Sequence, residues 1–264
     1  MGFMSSCRPN ILALRFDLLM NKSVLIVIPA RGGSKGIRQK NLRKVHGVSL
    51  TEWAVRSAID LASRHEASIR LSSDEVRILA IASKYPRVVP SKRPAELSGD
   101  SVPDFQVLRH ELSLAEQSLK CKIDTVVLLQ PTSPLRNLNL LDEAVRKVKS
   151  GDYTSIWSIS EVPLKYHPRK QLEIRSEELV LSVDSPLVRA RQELTSTFIR
   201  NGVCYVFNRY TVLSDEKLMG SKCGYVRIPS ETFNIDELAD LKRLRVRTQI
   251  IDNRLILKER RWFG

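Results

Sequence analysis

The sequence is short of several things, and each shortage removes a class of function. Aromatic residues make up only 6% of its 264 residues. That is too few to interleave a basic stripe with the stacking platforms that hold single-stranded nucleic acid. There are four cysteines, Cys7, Cys121, Cys204 and Cys223, with no C-x-x-C pair among them. A structural zinc site needs clustered ligands, so none is expected, and scattered thiols of this kind suit a reduced, cytoplasmic chain. The four histidines, His46, His65, His110 and His167, are not spaced as a metal set, and no Ser-His-Asp arrangement is visible. No uninterrupted apolar run reaches 18 residues, so a membrane span is not expected. The apolar patch from Ile11 to Met20 is broken by Arg15 and Asp17, which a secretory signal does not tolerate. Residues 1–22 are expected to be a peripheral N-terminal extension, with Met20 a natural start just before the first strong strand.

What is present is an ordinary globular composition, 42% apolar and 27% charged, with a formal charge of +14. Positive charge draws nucleic acid, membrane surfaces or small anions, and its location decides among them. Residues 242–264 hold eight Lys and Arg against Asp252 and Glu259, so the middle of the chain is only mildly basic. Residues 249–264 read as a basic tail, a solvated helix face ending in a frayed terminus, rather than a nucleic-acid stripe.

Hydrophobic periodicity gives the architecture. Ser23–Pro29 is a continuous β-branched run, the mark of a strand buried on both faces. Leu50–Ala62 reads as a helix, Ile69–Ser72 as a strand, Asp74–Tyr85 as a helix and Arg87–Pro90 as a strand. A helix is expected from Ser101. Asp124–Gln130 is a second buried strand, and Leu138, Leu141, Val145 and Val148 follow at helical spacing. Ser155–Ser160, Val203–Asn208 and Tyr225–Ile228 read as strands, and Asp236–Thr248 as a helix. This alternation predicts an α/β fold, a mainly parallel sheet with helices on both faces. Ligands in such sheets bind at the carboxyl ends of the strands, here after Pro29, Ser72 and Gln130. Residues 161–200, with Pro163, Pro168 and Pro186, fit the alternation poorly and read as an inserted arm.

The loop after the first strand, Ala30 to Asn41, holds Gly32, Gly33 and Gly36 among Arg31, Lys35, Arg38 and Lys40. It matches neither the Walker nor the dinucleotide pattern. Its glycines let backbone N–H groups turn toward a ligand, and its cations suit a polyphosphate; the competing reading is a tight surface turn with solvated lysines.

VIPARGGSKGI…KNL resembles the opening of the acylneuraminate cytidylyltransferase family, which makes CMP-sialic acid and related CMP-nonulosonates. Arg93-Pro94-Ala95-Glu96-Leu97 with Asp100 resembles that family's second nucleotide segment, and Leu128 to Arg136 (LLQPTSPLR) its most diagnostic motif. Arg191-Gln192-Glu193-Leu194 and Asn201-Gly202 resemble its sugar-side region. Asn234-Ile235-Asp236 with Asp240 stands where the family has D-I-D and a later Asp. Five such motifs in order span residues 23–248, the expected cytidylyltransferase domain. The resemblance implies a Rossmann-like nucleotidyltransferase sheet whose inserted arm, about residues 161–200, reaches across a homodimer.

The implied reaction transfers CMP from CTP to the anomeric hydroxyl of a nonulosonic acid and releases pyrophosphate, for cell-surface glycan synthesis. By resemblance Arg31, Lys35 and Lys40 hold the triphosphate and departing pyrophosphate, with Ser34 and Asn41 beside them and Arg93 and Asp100 on the nucleotide. Gln130, Thr132 and Ser133 would meet the sugar acid, although a Thr-Ser-Pro turn is also ordinary turn chemistry. Lys170 and Arg191, with Gln192 and Asn201, match the positions around the sugar carboxylate. Each cation taken alone reads as a solvated charge. Tyr205 either lines the pocket or is a half-buried strand tyrosine. Mg²⁺ would sit on Asp236, with Asn234, an uncharged ligand at best, in the place of the family's other Asp; Asp236 also reads as the N-cap of the last helix. A nucleotidyltransferase for another sugar acid or a sugar phosphate is the nearby alternative. A non-catalytic binder of anions through the basic tail is the distant one. Neither nucleic acid nor membrane is expected as a partner.

Overall fold

The structure, a computed structural model, describes residues 24–34, 36–184, 186, 188, 190–228 and 232–258. The expected N-terminal extension, Lys35 and the end of the basic tail lie outside these residues. The chain opens with β1 (Val24–Pro29), a small hairpin of β2 (Lys44–Val45) and β3 (Val48–Ser49), and α1 (Leu50–His65). Then come β4 (Ser68–Ser73), the short α2 (Val76–Leu79), β5 (Val88–Lys92), α3 (Asp104–Leu119), β6 (Thr125–Leu128) and α4 (Leu138–Lys149). The second half holds β7 (Ser155–Glu161), β8 (Leu172–Arg175), β9 (Glu178–Leu181), β10 (Phe198–Asn208), α5 (Arg209–Ser214) and β11 (Cys223–Arg227). It closes with α6 (Leu238–Arg247) and a hairpin of β12 (Thr248–Ile251) and β13 (Arg254–Leu257).

Seven strands form one sheet in the order β11-β7-β10-β6-β1-β4-β5. β1 pairs parallel with β4 and β6, β4 with β5, and β7 with β11, while β10 runs antiparallel to both β6 and β7. β1 has no polar face. Val24, Ile26 and Ile28 pack into one apolar cluster with Ala54, Ala58 and Leu61 of α1 and Leu141 and Val145 of α4. Leu25 and Val27 pack into another with Phe105, Leu108 and Leu112 of α3. A strand buried on both faces can sit only mid-sheet, so its carboxyl end opens at the centre of the fold. A third cluster joins Ile37 of the glycine loop to Phe233, Ile235 and Leu241 and to Leu255 of β13, fixing that loop against the last helix.

Several sequence expectations are corrected. The helix expected over Asp74–Tyr85 is one turn, α2, followed by a 3₁₀ turn at Ala82–Lys84. α3 starts at Asp104, not Ser101, because the residue before a proline is pushed out of the helical region and Pro103 takes the N-cap position. α6 starts at Leu238; Glu237, not Asp236, is its N-cap, in a reciprocal capping box with Asp240. Much of the expected tail is folded, since β12 and β13 pair and Leu255 is buried. The arm contains the β8–β9 hairpin, and β10 begins inside it, with Phe198 opposite Glu161.

Under the sheet, Arg70 Nε donates to Glu111 Oε2 at 2.7 Å, with the glutamate side chain fully buried. Arg70 also donates to Ser91 Oγ at 3.2 Å. Removing one partner of a buried pair leaves an uncompensated charge. Glu111→Ala is therefore expected to cost about 3–5 kcal/mol of stability, read as a fall in the urea midpoint.

Candidate active site

The carboxyl ends of β1, β5 and β6 frame a cleft of about 350 Å³. From the glycine loop it takes Arg31, Gly33, Ser34, Lys40 and Asn41; from the turn after β5, Arg93, Gly99 and Asp100; from the loop after β6, Gln130, Pro131 and Thr132; and from before α6, Asn234 and Asp236. The sequence expectations for Arg31, Ser34, Lys40, Asn41, Arg93, Asp100, Gln130, Thr132, Asn234 and Asp236 thus converge in space. Lys35 lies outside the described residues.

The glycine loop is tied at both ends. Ala30 N–H donates to Ser72 O at 2.9 Å and Gly32 N–H to Asp74 Oδ1 at 2.8 Å. Gly36 passes so close to the last-helix segment that a Cβ there would meet the Asp236 carbonyl at 2.6 Å. That contact explains a glycine at this position. Gln39 turns the chain through a left-handed φ of 56° into a 3₁₀ turn that carries Lys40 and Asn41 inward. Asn41 Nδ2 donates to Arg31 O at 2.8 Å, while its buried Oδ1 has no hydrogen-bond partner. An unmade bond on a buried acceptor in a cleft wall is costly unless a ligand donor completes it.

The charges are paired. Arg31 bonds Asp100, and Lys40 Nζ lies 3.0 Å from Asp236 Oδ1. Asn234 Nδ2 donates to Asp236 Oδ2 at 2.9 Å. Arg93 is buried at 6% exposure and donates to Ser72 Oγ at 3.2 Å and Ser72 O at 3.1 Å. Burial is the main force lowering its pKa, but from so high a start that it stays cationic.

A second cavity of about 580 Å³ adjoins the first, and Val102 and Asp104 line both. Leu128, Trp157, Tyr205, Phe207 and Met219 form its apolar wall, with Arg200 and Lys217 as its cations and Asp104 and Glu216 as its carboxylates. Tyr205 stands edge-on to Trp157, ring centroids 5.6 Å apart, and its hydroxyl accepts from Gly202 N–H at 3.1 Å. Burial raises the Tyr205 pKa, so the phenol stays protonated.

Other sugar-side expectations go elsewhere. Ser133 is fully buried and donates to Asn201 O at 3.1 Å. The Asn201 side chain is held by Ser158, Ser160 and its own backbone at Val203. Both hold the walls together and line neither cavity. Lys170 and Gln192 are exposed on the arm and also line neither, and the Arg191 side chain lies outside the described residues. Arg136, missed from the sequence, staples the Gln130 loop to β10 by donating to Gln130 O at 2.5 Å and Val203 O at 3.0 Å. Burial pulls its pKa down to about 10. Gly202, at φ 70°, lies where a Cβ would meet Gln130 Oε1 and Ser133 Oγ at 2.8 Å each, so only glycine lets these walls close.

Among the described residues, no three His, Cys, Asp or Glu side chains gather as a metal set. None of their helices is long and apolar enough to cross a membrane.

Comparison with known proteins agrees with this geometry. The cytidylyltransferase family model matches residues 25–242. A CMP-N,N'-diacetyllegionaminic acid synthase of Campylobacter jejuni is 29% identical over 221 residues, 83% of this chain and 92% of that protein. Post-translational flagellin modification protein B of Campylobacter coli is 29% identical over 220 residues, with the same coverage. An N-acylneuraminate cytidylyltransferase of Oncorhynchus mykiss is 29% identical over 81% of this chain but 48% of its own length. Among solved structures, a CMP:2-keto-3-deoxy-manno-octonic acid synthetase complexed with CTP superposes with a TM-score of 0.59 at 15% identity, over 85% of this chain and 97% of that one. That likeness shows the shared fold. The chain belongs to the cytidylyltransferase family, and within it is a nucleotidyltransferase of the acylneuraminate cytidylyltransferase type.

Proposed function

We propose that the chain joins CTP to a nonulosonic acid in these two adjoining cavities, forming a CMP-sugar and pyrophosphate. One observation carries the reading. A cleft lined by Arg31, Lys40 and Arg93 at a glycine loop shares a wall, Val102 and Asp104, with a half-apolar cavity that holds Arg200 and Lys217. Triphosphate suits the first, where Arg31 and Lys40 stand on the loop. Arg93 and the unpaired Asn41 Oδ1 suit the ribose and base. A carboxylate-bearing sugar suits the second, where Arg200 and Lys217 stand. The anomeric hydroxyl gives up its proton to solvent as its oxygen bonds the α-phosphorus, while the bond from that phosphorus to the bridging β-phosphate oxygen breaks and pyrophosphate departs with its electrons. The protein's part is positioning and charge stabilisation, without a covalent enzyme intermediate.

The residues fit a divalent cation held mostly by phosphate. Mg²⁺ typically takes one or two carboxylates, with phosphates and water completing its shell. Asp236 supplies one carboxylate, exposed at 68% beside Lys40. Asn234 spends its amide nitrogen on Asp236 and keeps its oxygen free as a neutral ligand. When bound, the ion neutralises charge on the phosphates. A reaction drawing on the CTP pool belongs in the cytoplasm.

The chain works as a homodimer in this reading. The β8–β9 hairpin exposes Ile174 at 77% and Leu179 at 69%, an apolar face suited to a second copy. Lys170, on the same arm, would then serve the partner's site. Ile174→Asp with Leu179→Asp is expected to shift sedimentation to the monomer and lower turnover; an unchanged sedimentation coefficient contradicts the arm's role.

Phosphorus NMR of the products tests the chemistry. A CMP phosphodiester and pyrophosphate appearing in equal amounts is the expected result. A CDP-linked product, or orthophosphate alone, overturns it.

A further inference from the structure

Asp104 is the first residue of α3, where a carboxylate ordinarily complements the helix N-terminus. Here it makes no cap bond. One oxygen, Oδ2, accepts from Gln130 Nε2 at 3.1 Å, and among the described residues Oδ1 accepts nothing. Burial is the chief influence on this carboxyl and raises its pKa, against the pull of Arg200 and Arg93, neither of which pairs with it. Oδ1 is not among the buried side-chain atoms that lack a partner, so it is open to the cavity and can exchange water for a ligand donor. It also stands in the shared wall of both cavities.

We propose that Asp104 determines acceptor specificity, its free oxygen accepting a hydrogen bond from a hydroxyl or amide N–H of the sugar acid while its other oxygen fixes Gln130. Charge favours this over a nucleotide role. The other carboxylates of the first cleft are each paired with a cation, Asp100 with Arg31 and Asp236 with Lys40, whereas Asp104 has no such partner among the described residues to offset its repulsion of a triphosphate. In the second cavity the same molecule can offer a carboxylate to Arg200 and Lys217 and a donor to Asp104. A neutral sugar lacks the first group, and a simple keto acid lacks the second. Val102, the other shared residue, offers no polar side chain.

The inference rests on the two-cavity reading above, and the experiment separates the two. Asp104→Asn keeps the shape, and Asp104→Ser is a smaller second variant should the first fold poorly, with melting temperature reported for each. Initial rates of pyrophosphate release give KM for CTP and for the acceptor separately. The acceptor KM is expected to rise about tenfold or more, the value of a hydrogen bond to a charged group, with the CTP KM within about twofold of the parent. A set of acceptors each lacking one hydroxyl or N–H completes a cycle. One of them should lose the same factor on the parent enzyme and almost nothing further on the variants. An unchanged acceptor KM in both variants overturns the inference, as does a rise confined to CTP or an equal loss from every deleted donor on parent and variant. If the parent releases no pyrophosphate with any sugar acid, it is the proposed function that fails.

Discussion

Replacing Asp236 by alanine is expected to abolish Mg²⁺-dependent pyrophosphate release while leaving the fold intact. The side chain is two-thirds exposed, so little packing is lost. Its segment is held instead by backbone contacts: Asp236 N–H and Glu237 N–H both donate to Asp240 Oδ2 at 3.0 Å, and Ile235 N–H donates to Thr132 O at 2.8 Å. What disappears is the charged oxygen beside Lys40 and Asn234. Asn234 is neutral and cannot replace it. A metal ion supplies several kcal/mol of transition-state stabilisation, which makes the expected loss on the order of 10³-fold or more. Steady-state turnover against Mg²⁺ concentration, with far-ultraviolet circular dichroism as a check on folding, reads the outcome. Near-normal turnover would remove Asp236 from the metal site.

Lys40→Met is expected to have the next largest effect. The methionine keeps an apolar stem in the 3₁₀ turn but removes the ammonium group that lines the cleft and that the proposal places on the triphosphate. Loss of one preorganised charge donor typically costs about 10²–10³ in kcat. Lys40→Arg should restore part of the rate and Lys40→Met none. Because Lys40 and Asp236 are in contact, the double variant should lose less than the two single losses combined. Additive losses in single-turnover assays would mean that the two groups act independently.

The nucleotide half of the site was legible in the sequence for a physical reason. Its residues follow strand ends in short contiguous runs, so finding β1, β5 and β6 places Arg31, Lys40, Arg93 and Gln130 together. The acceptor half was not legible in the same way. The second cavity is built where β10 pairs antiparallel with β7 and the segment between α5 and β11 folds against them, which brings Arg200, Trp157 and Lys217 together without any periodic signal. Ser133 and Asn201 matched a motif, and their polar groups are taken up in buried hydrogen bonds. No motif marks Asp104. Nothing local in the sequence reveals that its carboxylate turns toward Gln130 instead of the helix N-terminus. The arm was recognised as an interruption, but its hairpin and the exposed apolar face on it emerge only from the strand pairing.

The central claim is that this chain couples a cytidine nucleotide to a sugar acid across two adjoining cavities. The most direct test compares kcat/KM for pyrophosphate release from CTP with nonulosonic acids and with sugar 1-phosphates as acceptors, at fixed Mg²⁺. Release with at least one nonulosonic acid and none above background with the sugar phosphates is the expected result. Efficient release with a sugar phosphate, and none with any nonulosonic acid, would contradict it.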